Sequence, residues 1–137
     1  MKHVFIDINI FMDIFAERYP FFDNSFKIYL LGAKGKIKLY TSANTITTLH
    51  YLLKKSLSEE KIRMYLEEIV DNVFIIPIDN TMISISIKSS HKDFEDAIQI
   101  TAAQSINSMT CIVTRDLKDY KNAEIVVYTP DQFLQTI

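Results

Sequence analysis

The stretch His3-Val4-Phe5-Ile6-Asp7-Ile8-Asn9, near the start of the chain, decides the fold. Its first four residues form a short, mostly apolar run with aromatic and β-branched side chains, which is typical of a buried strand. Asp7 follows that run directly. In open α/β sheets, ligands bind beyond the carboxyl ends of the strands. A carboxylate at this point therefore predicts a functional site.

Four further segments have strand character, and they are residues 38–41, 73–76, 110–114 and 125–128. The segments between them carry apolar residues at helical spacing, and the clearest stripes are Phe22-Phe26-Tyr29-Leu30, Ile46-Leu49-Leu53-Leu57 and Phe94-Ile98-Ala102-Ile106. Strands that alternate with helices predict right-handed crossovers and a mostly parallel sheet covered on both faces. The expected fold class is therefore α/β, with three α/β/α layers around a sheet of about five strands.

Length and composition indicate one globular domain over residues 1–137. Of the 137 residues, 48% are hydrophobic and 23% are charged, and two Gly and three Pro leave little room for linkers. No apolar run approaches the roughly 20 residues of a membrane helix, and the start of the chain has strand character rather than that of a signal peptide. The single Cys111 excludes an intramolecular disulfide. We expect a cytoplasmic protein.

The net charge of −2 argues against a generally basic nucleic-acid binder. The average hides an asymmetry, because no acid lies between Asp23 and Glu59 whereas six lysines do: Lys27, Lys34, Lys36, Lys38, Lys54 and Lys55. Such a block could contact a phosphate backbone, or it could consist of solvated surface lysines.

Acidic residues in three separate segments should meet at the carboxyl edge of the sheet. Asp7 follows the first strand, Asp116 follows the fourth, and Asp93 and Asp96 open the preceding helix. Asp119 lies three residues beyond Asp116. Crowded carboxylates raise one another's pKa unless a cation neutralises them. Oxygen ligands without His or Cys suit Mg²⁺ or Mn²⁺ rather than zinc.

Each of these acids also has a purely structural interpretation. Asp7 could cap the turn after its strand, and Asp116 could cap the turn that follows it. Asp93 could be a helix N-cap, with Asp96 completing a capping box in the first helical turn. Glu95 lies off the helix face that Asp93 and Asp96 share, so its side chain is expected in solvent.

The motifs together resemble the PIN-domain family. They are Asp7 with Asn9, the phrase Asp93-Phe94-Glu95-Asp96-Ala97, and the phrase Val113-Thr114-Arg115-Asp116 before Asp119-Tyr120. The resemblance covers essentially the whole chain, and the most similar group is the small bacterial PIN proteins that include VapC-type toxins of toxin–antitoxin pairs. It implies a Mg²⁺- or Mn²⁺-dependent ribonuclease with the first strand in the middle of the sheet, and an antitoxin protein as a partner.

Carried over position by position, the catalytic and metal-binding acids implied by the resemblance are Asp7, Asp96 and Asp116. Asp119 matches an extra acid that many members have. Asn9 and Thr114 match polar positions that flank the site. Arg115 could reach a substrate phosphate or lie on the surface.

One position departs from the family's pattern. The family usually places a glutamate on the helix after the second strand, but residues 42–51 contain no carboxylate, and the matching position falls on Thr48. Asp93 could supply the missing charge. The alternative function is therefore a catalytically impaired PIN-like module that binds RNA or a partner protein without cleavage.

Two phosphotransfer classes fit less well. A haloacid-dehalogenase-type enzyme would have a second aspartate where Asn9 stands, and a receiver domain would have an aspartate directly after the third strand, whereas Asp79 has the character of a helix N-cap.

The helices predicted over residues 45–54 and 58–70 carry more apolar residues than one buried face can hold. The excess predicts a homodimer or a groove for a partner helix, unless both faces are buried within the monomer.

Overall fold

Five strands form one fully parallel sheet. The computed structural model describes all 137 residues, and the strands are β1 (His3–Ile6), β2 (Lys38–Ser42), β3 (Val73–Ile76), β4 (Cys111–Val113) and β5 (Val126–Tyr128). Their order in the sheet is β3-β2-β1-β4-β5, so β1 is central. The predicted α/β class, the five strands and the central place of the first strand are confirmed. The carboxyl ends of all five strands point to one edge, called here the carboxyl edge.

Six helices lie in the connections between strands and a seventh follows β5: α1 (Ile8–Phe15), α2 (Phe22–Ala33), α3 (Ala43–Leu53), α4 (Glu59–Asn72), α5 (Asn80–Lys88), α6 (Phe94–Gln104) and α7 (Pro130–Leu134). A short 3-10 helix, Leu117–Tyr120, follows β4. Side-chain N-caps begin five of the helices, at Asp7, Ser58, Asp79, Asp93 and Thr129. Asp79 caps α5 by accepting from the Met82 N–H, as predicted.

Helix α1 was not predicted from the sequence. Its eight residues, INIFMDIF, are rich in isoleucine and phenylalanine and continue the apolar character of β1, so periodicity alone does not separate them from a strand. Asp7 is the N-cap of this helix: its backbone is still extended, and its carboxylate accepts a hydrogen bond from the N–H of Ile8, the first helical residue. The strand-to-helix turn therefore fixes the position of Asp7.

Two hydrophobic cores lie on opposite faces of the sheet. Along β1, Val4 and Ile6 belong to the larger core and Phe5 to the smaller one, as the two-residue period of a strand requires. The larger core contains side chains of α1 to α4, and the smaller one contains α6 residues such as Ile100. This arrangement is the predicted three-layer packing. Cys111 is fully buried, and burial raises the pKa of its thiol to about 11, which suits an inert core residue.

The apolar residues of α3 and α4 divide between core and surface. Leu53 and Ile62 are fully buried, whereas Tyr51, Met64 and Val70 are each more than half exposed, at 62%, 63% and 59%. The idea that both faces of these helices are buried within the monomer is therefore wrong. Three large apolar side chains of these helices, Tyr51, Met64 and Val70, therefore remain exposed in the monomer. None of the helices has the length and apolar character needed to cross a membrane.

Candidate functional site

Asp7 lies at the carboxyl end of the central strand and is only 3% exposed. Its Oδ1 accepts hydrogen bonds from the Ile8 N–H at 2.7 Å and from the Tyr120 hydroxyl at 3.2 Å. Its Oδ2 accepts from the Thr114 hydroxyl at 2.8 Å and lies 3.5 Å from the Asn9 side-chain amide. Asp7 therefore both caps helix α1 and lies at the carboxyl edge of the sheet.

Burial raises the pKa of Asp7, and the hydrogen bonds from Thr114, Ile8, Tyr120 and Asn9 oppose that rise. Each of these four hydrogen bonds favours the ionised form of Asp7. Together they also hold its carboxylate in one orientation. The placement of Asn9 and Thr114 beside Asp7 agrees with the flanking positions given by the family resemblance.

Tyr120 is a site residue that the sequence analysis did not identify. It is buried, and its hydroxyl lies 3.2 Å from Asp7 Oδ1 and 3.1 Å from the Gln99 side-chain oxygen. A hydroxyl has one hydrogen, so Tyr120 donates to one of these acceptors at a time. Burial and then the charges of Asp7 and Asp96 raise the pKa of Tyr120 well above its usual value, which keeps the hydroxyl a donor. Its only signal in sequence is its place directly after Asp119.

Asp96 lies in the first turn of α6 and is partly buried. Its pKa is raised to about 7, first by burial and then by the neighbouring charges of Asp93, Asp119, Asp7 and Glu95. Asp93 is the N-cap of α6, and its Oδ1 accepts from the Asp96 N–H at 3.0 Å. Acids from three segments of the chain thus lie near enough for their charges to raise the pKa of Asp96.

Asp116 and Asp119 form the outer part of the site and are both exposed. The Asp116 N–H donates to the Thr114 hydroxyl oxygen at 3.1 Å, which links the loop after β4 to Asp7 through Thr114. The pKa of Asp119 is raised, by desolvation first and then by a hydrogen bond to Asp116 and the charges of Asp116 and Asp93. Two carboxyl groups hydrogen-bond only when one is protonated, so this pair too is unfavourable in its doubly charged form.

These carboxylates are neighbours without forming a ready-made metal site. Nowhere in the chain do three or more His, Cys, Asp or Glu side chains converge closely enough to hold an ion. The chemistry of the donors nevertheless fits a hard divalent cation, because every candidate ligand is a carboxylate. Glu95 also has a buried carboxylate oxygen, Oε1, without a hydrogen-bond partner. The expectation that Glu95 is solvated is therefore wrong for that oxygen.

Helix α3 brings hydroxyl groups rather than a carboxylate to the carboxyl edge. Its N-cap Ser42 and the first-turn Thr45 are fully buried, and the two hydroxyls lie 3.2 Å apart. Ser42 also donates to the Asn44 side-chain oxygen. Thr48, which the resemblance matches to the family's glutamate, is partly buried and lies on the same helix face as Thr45.

A separate buried charge, Asp13 of α1, holds the loop that carries Asp116. Asp13 is fully buried and pairs with Arg115 at 2.9 Å and with Arg18 at 3.1 Å. The Ser25 hydroxyl donates to the same carboxylate at 3.1 Å. The Arg115 guanidinium also lies over the Phe21 ring, 3.9 Å from its centroid. The sequence analysis placed Arg115 at a substrate phosphate or on the surface; in the structure its charge is paired with Asp13.

The positive charge near the acids does not come from the lysine block. Lys34, Lys36 and Lys38 lie in or next to the connection from α2 into the start of β2, which is the edge of the sheet opposite Asp7. A cavity of about 600 Å³ lies beside the acids instead, and its charged lining residues are His91, Lys92, Asp93, Asp96, Lys118, Asp119 and Lys121. The three lysines of this cavity were not singled out from the sequence, because they are scattered among acids along the chain.

Comparison with known proteins is consistent with this geometry. The PIN domain family matches residues 3–118. "Ribonuclease VapC1" of Aquifex aeolicus (strain VF5) is 29% identical over 139 residues, which cover 98% of this chain and 94% of the relative. The chain therefore belongs to the PIN domain family.

Solved structures show the same fold at low sequence identity. The VapBC-1 structure from nontypeable Haemophilus influenzae is 15% identical, with a TM-score of 0.70 over 94% of this chain and 98% of that chain. The toxin–antitoxin complex from Klebsiella pneumoniae is 23% identical, with a TM-score of 0.66 over 93% of this chain and 97% of that chain. The DNA-bound VapBC from Salmonella typhimurium is 16% identical, with a TM-score of 0.69 over 95% and 99%.

Removing the buried charge of Asp13 should destabilise the protein. Asp13→Asn leaves Arg18 and Arg115 without their counter-charge, and we expect a loss of about 2–3 kcal/mol in the free energy of unfolding in urea. This lies below the roughly 3–5 kcal/mol for a fully buried pair, because the arginine side chains are 38% and 26% exposed. Asp23→Asn is the control, because Asp23 is exposed, and it should change the free energy of unfolding by less than about 0.5 kcal/mol. Equal effects of the two substitutions would contradict the role of Asp13.

The raised pKa of Asp96 predicts how stability depends on pH. The folded protein holds the Asp96 proton up to about pH 7, whereas the unfolded chain releases it near the usual 3.8. Asp96 therefore makes the metal-free protein less stable as the pH rises from about 4 to above 7. Asp96→Asn stays neutral, so it should raise the melting temperature more at pH 8 than at pH 5 in buffer with a chelator. An Asp96→Asn effect that is the same at both pH values would show that Asp96 titrates normally.

Proposed function

We propose that this chain is a metal-dependent ribonuclease that cleaves RNA phosphodiesters with Mg²⁺ or Mn²⁺. The observation that carries the proposal is Asp96, whose pKa is raised to about 7 first by burial and then by the charges of acids from three segments of the chain. Such crowding costs stability without a neutralising cation. Membership of the PIN domain family and the 29% identity to a ribonuclease of Aquifex aeolicus support the same conclusion.

The residues that would hold the cation are Asp7, Asp96 and Asp116, with Asp93 and Asp119 as further candidates. A bound divalent cation would activate water and offset the negative charge of the phosphodiester. Asp7 is positioned for this role by Thr114, Tyr120 and the start of α1. The chain otherwise contributes placement and electrostatics, since attack by water requires no Ser, His or Cys nucleophile.

The RNA strand would lie along the cavity beside the acids. Lys92, Lys118 and Lys121 are exposed there and can pair with the phosphates on either side of the cleaved bond. Arg115 would support the site from behind, because its pairing with Asp13 holds the loop that ends in Asp116.

The same proposal includes a toxin–antitoxin role. Solved structures that share the fold include a toxin–antitoxin complex from Klebsiella pneumoniae and a DNA-bound VapBC from Salmonella typhimurium. We infer that this chain is the toxin of such a pair, that an antitoxin protein binds it, and that it acts on RNA in the cytoplasm.

A second candidate function is a PIN module that binds RNA or a protein without cleavage. The observation that favours it is the lack of any carboxylate on α3 together with the open arrangement of the remaining acids. Metal affinity separates the two functions, because a module without activity has no need to bind divalent cations at millimolar concentration.

The nuclease should bind Mn²⁺ through the acids at the carboxyl edge. We expect calorimetry to detect Mn²⁺ binding to the wild type, and both Asp7→Asn and Asp96→Asn to abolish it and to slow cleavage of mixed RNA by about a hundredfold or more. Asp71→Asn is the matched control, because Asp71 is exposed at the end of α4 and far from the acids in the sheet. If the wild type binds no Mn²⁺ at millimolar concentration, the nuclease proposal is wrong and the PIN module that binds without cleavage remains.

The exposed apolar side chains of Tyr51, Met64 and Val70 support the prediction of a homodimer. Burying three large apolar side chains in a subunit interface is favourable, since apolar surface gains roughly 25 cal/mol per Å² on leaving water. We expect light scattering to give the mass of a dimer, and Tyr51→Lys/Met64→Lys to give that of a monomer with an unchanged circular dichroism spectrum. A monomeric wild type at high micromolar concentration would exclude the homodimer.

A further inference from the structure

A second cavity lies at the carboxyl edge, next to the loop that carries Asp116. Its volume is about 400 Å³, and its aromatic and hydrogen-bonding lining residues are Phe21, Asn24, Arg115, Thr129 and Asp131. Arg115 thus lines the second cavity, whereas Lys118 and Asp119, further along the same loop, line the cavity beside the acids. An RNA strand that passes over Asp116 would therefore meet one cavity on each side of it.

The charges of the second cavity do not suit a phosphate. Arg115 is its only cationic residue, and the Arg115 Nε and Nη2 atoms already donate to the buried Asp13 carboxylate at 2.9 and 3.1 Å. Asp131 adds an exposed carboxylate, which repels phosphate groups. The cavity beside the acids, by contrast, offers three lysines. The second cavity is therefore suited to an uncharged group that carries hydrogen-bond donors.

Phe21 and Arg115 form a stacked pair in the lining of the second cavity. The Arg115 guanidinium lies over the Phe21 ring, 3.9 Å from its centroid, and its pairing with Asp13 holds it there. Phe21 is nevertheless 42% exposed. Unpaired RNA bases stack on aromatic rings and guanidinium planes. The cavity volume also falls within the roughly 300–1,000 Å³ of small-ligand sites, so the cavity can admit a base.

The remaining lining supplies hydrogen-bonding groups. The Asp131 Oδ1 atom accepts from the Thr129 hydroxyl at 2.7 Å, which orients the carboxylate at the start of α7. The same hydrogen bond lowers the pKa of Asp131, so this carboxylate is ionised and only accepts. Asn24, in the first turn of α2, adds an amide that both donates and accepts. A carboxylate is matched by adjacent N–H donors, and guanine is the RNA base that carries adjacent donors, N1–H and the amino group, on its Watson–Crick edge.

We propose that the second cavity is a binding site for one unpaired guanine base of the RNA substrate, next to the cleaved bond. The base would stack on Phe21 and Arg115, donate from its N1–H and amino group to Asp131, and accept from Asn24 through its carbonyl oxygen. The proposal rests on the proposed function, because it takes RNA as the substrate. It gives the enzyme a base preference, which contacts to phosphates alone cannot supply.

Sequencing the cleavage ends from a randomised single-stranded RNA pool tests the base preference. With Mn²⁺ present, we expect wild-type ends to be enriched in guanine at one fixed position beside the cut. Asp131→Asn replaces one acceptor with an amide and should lower that enrichment by about fivefold or more, the scale of a lost two-bond base contact. Asp71→Asn is the matched control, because Asp71 is an exposed aspartate of α4, and it should leave the enrichment unchanged.

Binding of short RNAs gives a readout that does not depend on cleavage. The probes are labelled seven-nucleotide strands that differ only in the central base, measured by fluorescence anisotropy in buffer with a chelator. We expect the wild type to bind the guanine-centred strand about fivefold or more tightly than the uracil-centred strand. Phe21→Leu removes the aromatic face and should weaken binding of the guanine-centred strand about fivefold or more, with an unchanged circular dichroism spectrum.

The outcomes separate this inference from the proposed function. Wild-type cleavage without guanine enrichment at any position, or with enrichment that Asp131→Asn leaves intact, would overturn the guanine site and leave the nuclease. A wild type that cleaves nothing but prefers the guanine-centred strand, with that preference lost in Asp131→Asn, would overturn the nuclease and leave the guanine site. A wild type that neither cleaves RNA nor discriminates between the strands would show that both are wrong.

Discussion

The buried carboxylate of Asp7 is the interaction on which the rest of the site depends. It ends the central strand, begins α1 by accepting from the Ile8 N–H, and receives the Thr114 and Tyr120 hydroxyls from the segment after β4. The Asp7 side chain thus lies at the end of a strand, caps the start of a helix and contacts the segment that follows the neighbouring parallel strand β4. An acid in this position is held rigidly, because four donors oppose the cost of its burial.

The distribution of charge around Asp7 follows from how the two arginines are used. Arg18 and Arg115 both pair with the fully buried Asp13, so the protein neutralises that aspartate internally. The acids at the carboxyl edge have only exposed lysines near them, and exposed lysines remain hydrated and screen weakly. Asp13 is therefore neutralised by arginines of the chain, whereas the acids near Asp96 repel one another without a paired cation. Such retained strain is typical of functional sites.

How much of this could be predicted from sequence depends on the range of the interactions. The strands were predictable because short runs such as Val73–Ile76 are bounded by clear breaks. The placement of Asp7, Asp96 and Asp116 at the ends of strands and the start of a helix was predictable for the same reason, whereas their role in a site stays a prediction. Helix α1 was not, because its isoleucines and phenylalanines continue the pattern of β1. The contact of Tyr120 with Asp7 and the pairing of Arg115 with Asp13 were not, because each joins residues roughly a hundred positions apart that no local spacing relates. The sequence left the role of the lysine block open for the same reason, since only the sheet order shows which edge it occupies.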